Sequence, residues 1–505
     1  MNAADIVADA GARSQGGLPR VIQGGMGVGI SGWRLAGAVA RAGQLGVVSG
    51  TALEVVYARQ LQLGDPEGHI RRVLARFPVP EMAARVIERY FVAEGQPATE
   101  PFKGVPMYGL QPTPALQELS VVATFAEVAL AKERGEGGLI GINFLFKIQL
   151  PLLASLYGAM LAGVDYVIIG AGSPAPVGAV LSKLARNEDV SLDLKVQYAA
   201  PADDFKVRFS PAQLFGAAVP PPRRPRLLAI VSSVELASHL VHGPDEAPDG
   251  FVVERSTAGG HNAPPRGRRQ FDAAGQPIYG PDDEVDLSQI ARLGRPFWVG
   301  GGCASREALR RALAAGAAGI QVGTAFAFCE ESGLEAGLKS ETLRRVRAGE
   351  ACVFTDAHAS PTGFPFKVLG LPDTLSEAEV YERRRRVCDV GYLRTPFKTE
   401  GGAIGYRCAA ESDRAFELKR GRPEQAQGRK CLCNALLANV GLGQRRSGYA
   451  EPALVTAGDD VAGLVRFLAP GQSSYSAASV IAQLTTPADP LAEDEPAPPP
   501  SGAAR

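Results

Sequence analysis

His261 follows two glycines, in Ala258-Gly259-Gly260-His261, just beyond an apolar run that ends at Glu254. An imidazole with an ordinary pKa near 6.5 suits abstraction of a proton from a weak carbon acid. The glycines before it give the backbone freedom to aim the ring. The other four histidines, His69, His239, His242 and His358, have no such setting and read as structural or exposed. Two further glycine turns, Gly300-Gly301-Gly302 and Gln321-Val322-Gly323-Thr324, each close an apolar run. Glycines there expose backbone N–H groups, which bind a phosphate when a helix begins close by. Near the N-terminus, Gln23-Gly24-Gly25-Met26-Gly27-Val28-Gly29 lets the backbone approach a flat ligand, and Ser31 is placed to cap the next helix. No acidic residue ends the following run, Val47-Val48-Ser49-Gly50, so the dinucleotide-binding pattern fails. Asn143, polar inside Gly141-Ile142-Asn143-Phe144, needs a hydrogen-bond partner in a ligand or a neighbouring loop. Ser232 and Ser233 close the fifth run; Ser232 is placed to reach a ligand, and Ser233 to cap a helix.

These residues sit at the ends of eight short apolar runs: 20–24, 45–49, 139–145, 166–169, 227–232, 250–254, 296–299 and 319–322. Runs apolar throughout are strands covered on both faces. Helical patterns between them, such as 33–42, 233–240 and 306–315, predict a parallel sheet. Eight units with phosphate-type turns after the seventh and eighth point to an α/β (β/α)8 TIM barrel over residues 1–345. Three insertions interrupt it, at about 54–106, 192–225 and 262–284. The first carries an Arg-rich helical pattern over 70–90; the second carries strand-like pieces at 194–198 and 205–209. The third follows the sixth strand and reads as a lid or as a disordered excursion. Residues 346–485 form a mainly helical C-terminal extension packed on the barrel, with a buried helix near 432–440, and the Ala/Pro/acidic stretch 486–505 reads as a disordered tail.

With 53 basic and 53 acidic residues, net charge gives no reason to expect nucleic acid or an anionic membrane. The cluster Arg383–Arg386 lies among glutamates and reads as a solvated helix face. The apolar stretch 150–172 is broken by glycines and reads as a buried helix followed by a buried strand rather than a membrane span. The N-terminus lacks the apolar core of a signal peptide. Seven cysteines without framework spacing suggest reduced thiols in the cytoplasm. Cys431 and Cys433 have no second Cys/His pair at zinc-finger spacing, so no metal site is expected.

The chain resembles the nitronate monooxygenase (2-nitropropane dioxygenase-like) family in Ile22-Gln23-Gly24-Gly25-Met26-Gly27, Gly141-Ile142-Asn143, Ala258-Gly259-Gly260-His261, Gly300-Gly301-Gly302 and Gln321-Val322-Gly323-Thr324. The resemblance covers about residues 18–330. It implies an FMN cofactor, with Gly24, Gly25 and Met26 beside the isoalloxazine and Asn143 touching it. Ser232, Glu254, Gly259 and Gly260 join the binding set, while Gly301, Gly302, Gln321, Val322, Gly323 and Thr324 belong to the phosphate turns. The family often has Gln where this chain has Glu254. His261 is implied as the base in conversion of a nitroalkane or nitronate and O2 to a carbonyl compound and nitrite.

Two alternatives use the same residues. An NAD(P)H-dependent enoyl-thioester reductase of fatty acid or polyketide synthesis would hold the same FMN and receive an acyl carrier protein on the long insertion. A flavin-binding scaffold protein would do no chemistry.

Overall fold

The structure, a computed structural model, describes residues 17–216 and 219–486. The expected disordered tail beyond Thr486 and most of the N-terminal segment lie outside the described residues.

Eight strands form the predicted barrel: β1 (Val21–Gln23), β2 (Gly46–Ser49), β3 (Ile140–Leu145), β4 (Tyr166–Gly170), β5 (Arg226–Val231), β6 (Gly250–Glu254), β7 (Phe297–Gly300) and β8 (Gly319–Val322). Neighbours pair in parallel from β2 through to β8, and β8 pairs with β1. The cylinder closes where Ile22 bridges Leu45, through Gln23 N–H donating to Leu45 O at 3.0 Å. The Ile22, Val47, Ile168, Leu228, Val252 and Trp298 side chains fill the interior, so the barrel is a packed core rather than a pore. Trp298 Nε1 donates to Pro19 O at 2.7 Å.

Apolar stripes on the intervening helices cover the outside. The stretch 150–172 divides as expected into a buried helix, Leu152–Leu161, and β4. One helix, Pro114–Arg134, is long and apolar enough to cross a membrane, yet most of it is buried against helices 33–41 and 152–161. The first insertion contributes helices Leu53–Gln62, His69–Leu74 and Pro80–Tyr90. In the second, the antiparallel ribbon pairs Val190–Asp193 with Lys206–Phe209. The piece at 194–198 is therefore not a strand: Leu194 N–H still donates to Phe205 O at 2.8 Å, the pairing ends there, and Gln197 bridges Phe397 instead, donating to Pro396 O and accepting from Lys398 N–H.

Strand–helix alternation ends with the helix Ala336–Ala348. Beyond it, short helices, Leu432–Ala438 among them, alternate with three antiparallel ribbons, 353–356 with 366–369, 395–398 with 404–407, and 445–446 with 449–450. These pack on the barrel through apolar clusters that mix residues of both parts. The Arg383–Arg386 cluster is not one solvated face. Its helix stops at Arg383, and Arg384 turns inward to pair with Glu451, whose side chain is fully buried.

Candidate active site

One cavity of about 490 Å³ opens at the C-terminal ends of the strands, the end where barrel enzymes carry their chemistry. His261 lines it, together with all fourteen residues named above as cofactor contacts. None of the other four histidines does.

The turn after β1 is held by side chains beneath it. Gln23 Oε1 accepts from Val47 N–H at 2.9 Å while its Nε2 donates to Ser31 Oγ at 2.8 Å. Ser31 Oγ donates to Gly24 O and accepts from Met26 N–H, both at 2.8 Å. Ser31 does not cap the next helix: that helix starts at Trp33, behind Gly32 and without a side-chain cap. The hydroxyl fixes the turn instead, because the folded-back glycines bring Gly24 O within its reach. A Cβ on Gly25 would overlap the Asn143 side chain, and Asn143 Nδ2 donates to Gly25 O at 3.1 Å. Asn143 thus satisfies its burial by joining β3 to the first turn, and it also lines the cavity.

The cradle opposite is built from Gly301 at φ +93° and Gly302 at φ +63°. A Cβ on Gly301 would stand 2.9 Å from Thr257 Oγ1, so only glycine leaves this turn open. Ser305 caps the helix Arg306–Ala314 just beyond, accepting from Ala308 N–H at 3.1 Å. Beside it, Thr324 Oγ1 accepts from Gly458 N–H at 2.9 Å. Asp460 lines this side too, and burial raises its pKa.

His261 is held by the extension. Its Nε2 lies 2.7 Å from Ser360 Oγ, and Ser360 Oγ lies 2.8 Å from Thr362 Oγ1. The Phe366 ring packs edge-on to the imidazole at 5.0 Å. Backbone bonds fix the approach: Lys367 N–H donates to Gly260 O at 2.9 Å, and Asn262 N–H to Pro365 O at 3.0 Å. Gly260 N–H donates to Thr456 Oγ1 at 2.8 Å. Of the third insertion, only Asn262 and Ala263 line the cavity; farther along, Gln276 Oε1 accepts from Thr355 N–H of the extension at 2.8 Å.

Three ionisable groups meet here. Burial pulls the Lys147 ammonium down to about 8, against the pull of Glu254. Burial pushes Glu254 up to about 7, with Lys147 opposing. The His261 pKa falls well below its ordinary 6.5, first through burial and then through repulsion by Lys147. Lys147 lies just past the end of β3, and the Phe364 ring of the extension stands 5.1 Å from its Nζ. No motif in the sequence marks it. The available signal was a charge directly after an apolar strand, at the end where sites form. The extension's share of the wall, including Phe364, Phe366, Tyr392 and Thr456, had no local signal.

The cavity suits a flat group with an anionic arm: glycine turns flank it where side chains would intrude, and its volume is in the range of cofactor sites. Asn262, which lines the cavity, has a buried Oδ1 without a partner among the described residues.

No family model matches the chain, and no curated protein matches it. Among solved structures it is similar to FabK from Thermotoga maritima, at 16% identity and TM-score 0.44 over 92% of this chain and 91% of that one. It is similar to the nitroalkane oxidase of Streptomyces ansochromogenes, at 16% identity and TM-score 0.41 over 95% and 97%. The enoyl reductase domain of MlnA, from the macrolactin biosynthesis cluster of Bacillus amyloliquefaciens, matches at 11% identity and TM-score 0.43 over 91% of each chain.

Proposed function

We propose that this chain is an FMN-dependent nitronate monooxygenase, converting alkyl nitronates or nitroalkanes and O2 to carbonyl compounds and nitrite. The observation that carries the reading is that the His261 imidazole and the Lys147 ammonium share one cavity with three glycine turns open to a flat, phosphate-bearing group. Gly301, Gly302, Gly323 and Thr324 would hold the phosphate, and Gly24, Gly25, Met26 and Asn143 the ring. Bound FMN supplies the redox chemistry that links substrate to oxygen.

The chain's own residues handle charge and protons. Its lowered pKa keeps His261 neutral at pH 7, so its base form is populated, although burial weakens it as a base. For Nδ1 to accept a proton, Nε2 must carry the ring hydrogen and donate it to Ser360 Oγ, whose own hydrogen then points to Thr362 Oγ1. The Ser360–Thr362 pair can accommodate that tautomer. Lys147, mostly protonated at pH 7, attracts the negative oxygens of a nitronate. A cation in this wall favours an anionic substrate over a neutral enoyl group. Phe364, Phe366 and Leu436 give the same cavity an apolar wall.

Anaerobic mixing of the FMN-loaded protein with an alkyl nitronate, and separately with NADH and NADPH, tests the proposal through the flavin absorbance. Bleaching by the nitronate without a nicotinamide is expected. Bleaching by a nicotinamide alone would transfer the reading to an enoyl-thioester reductase. A chain that takes up no FMN would end both.

A further inference from the structure

Four of the seven cysteines converge on the extension. Cys388, Cys408, Cys431 and Cys433 line one small, partly enclosed space, and all are free thiols. They arrive from separate turns: Cys388 follows the helix Ala378–Arg383, and Cys408 follows the strand Ile404–Arg407. Cys431 directly precedes the helix Leu432–Ala438, and Cys433 lies in its first turn. A backbone amide faces each sulfur, from Val390, Ala410, Asn434 and Leu393 respectively. Asn434 Nδ2 adds a donor 4.0 Å from Cys431 Sγ. Burial raises the pKa of all four thiols, the amide hydrogens oppose that shift, and the guanidinium groups of Arg384 and Arg394 border the same space. Glu411, the one carboxylate there, is engaged by Lys419 Nζ and Cys408 N–H. A buried cysteine ordinarily packs as a small hydrophobe. Four that gather around a common space, each with its own N–H donor, form a ligand set.

We propose that Cys388, Cys408, Cys431 and Cys433 ligate an iron–sulfur cluster of the four-iron, four-sulfide type. The spacing favours a cluster over one ion. Among the described residues no three His, Cys, Asp or Glu side chains are placed to hold a single metal ion. The space that the four thiols help to line admits a body the size of a water molecule. Such a body needs roughly 3 Å to each sulfur, whereas the centre of a four-cysteine zinc tetrahedron lies about 2.3 Å from each. Four cysteines around a wider space are what a cubane cluster takes. Leu393 and Cys433 line both this space and the large cavity, so the cluster forms a one-electron centre against the wall of the proposed flavin site. Sequence spacing concealed the set, because only Cys431 and Cys433 are near neighbours in the chain.

The full chain, purified anaerobically and supplied with ferrous iron and sulfide, is expected to hold about four iron and about four acid-labile sulfide per molecule. A paramagnetic resonance signal should appear on reduction with dithionite. Cys408→Ser and Cys431→Ser should each lose most of the iron and sulfide, while Cys352→Ser, at an exposed thiol outside the group, keeps them. The wild-type stoichiometry decides the matter even where a serine variant fails to fold. Stoichiometric zinc, iron without sulfide, disulfides among the four thiols, or no uptake of iron and sulfide would each overturn the proposal. FMN content measured in the same samples separates the two readings: full FMN without iron removes only the cluster, and full iron and sulfide without FMN removes only the flavin reading.

Discussion

His261, Lys147 and Glu254 face one cavity, and each gives a different measurable consequence. Replacing His261 with Ala removes the base, and kcat/KM for a nitroalkane should fall about 10²–10⁴-fold in oxygen-uptake assays, with FMN content retained. Lys147 titrates near 8, so wild-type kcat/KM for a nitronate should decline as pH rises through that value. In Lys147→Met this limb should vanish and KM should rise by about tenfold, the loss of roughly one charge-assisted contact. For Glu254 the consequence lies in stability. Its folded pKa of about 7 lies above the ordinary 4.5, so the folded state binds more protons between those values and loses stability as pH rises through them. Glu254→Gln should therefore gain about 1–3 kcal/mol over wild type in urea melts at pH 8, and little at pH 4.5.

At the scale of elements, the site is a set of strand-end turns whose shapes only glycine permits. Gly301→Ala places a methyl against Thr257 Oγ1 at a φ of +93°. Strain of about 1–3 kcal/mol at such a position should open the turn and weaken FMN binding about 10–100-fold, read by quenching of free FMN fluorescence. The glycine turns and the eight strands were legible because both signals are local: apolar runs of strand length, each ended by residues that free the backbone. The Ser31 expectation failed because its hydroxyl lies closer to Gly24 O across the folded turn than to the helix it precedes. The expected strand over 194–198 failed because pairing across the insertion starts at Val190, where the exposed and buried residues alternate.

At the scale of the molecule, the extension completes the cavity. Ser360 and Phe366 hold His261, Thr456 bonds to Gly260, and Tyr392 reaches across to Glu54 in the first insertion. Burial raises the Glu54 pKa while the Tyr392 hydroxyl opposes that shift. Tyr392→Phe would leave a buried carboxyl without its donor. Stability should fall by about 1–3 kcal/mol, measured by equilibrium urea unfolding, with some loss of FMN affinity because the same side chain lines the cavity.

The amino-acid sequence by itself determined the barrel and the residues at its mouth, from His261 to Thr324, because strand burial and glycine turns are written in neighbouring residues. Tertiary structure alone decided what meets those residues from far along the chain. Ser360 against His261, Lys147 across from Glu254, and four thiols around one space are contacts between segments whose spacing in sequence carries no period. The shift of His261 below its ordinary pKa belongs to the same class, since burial is a property of the packed whole.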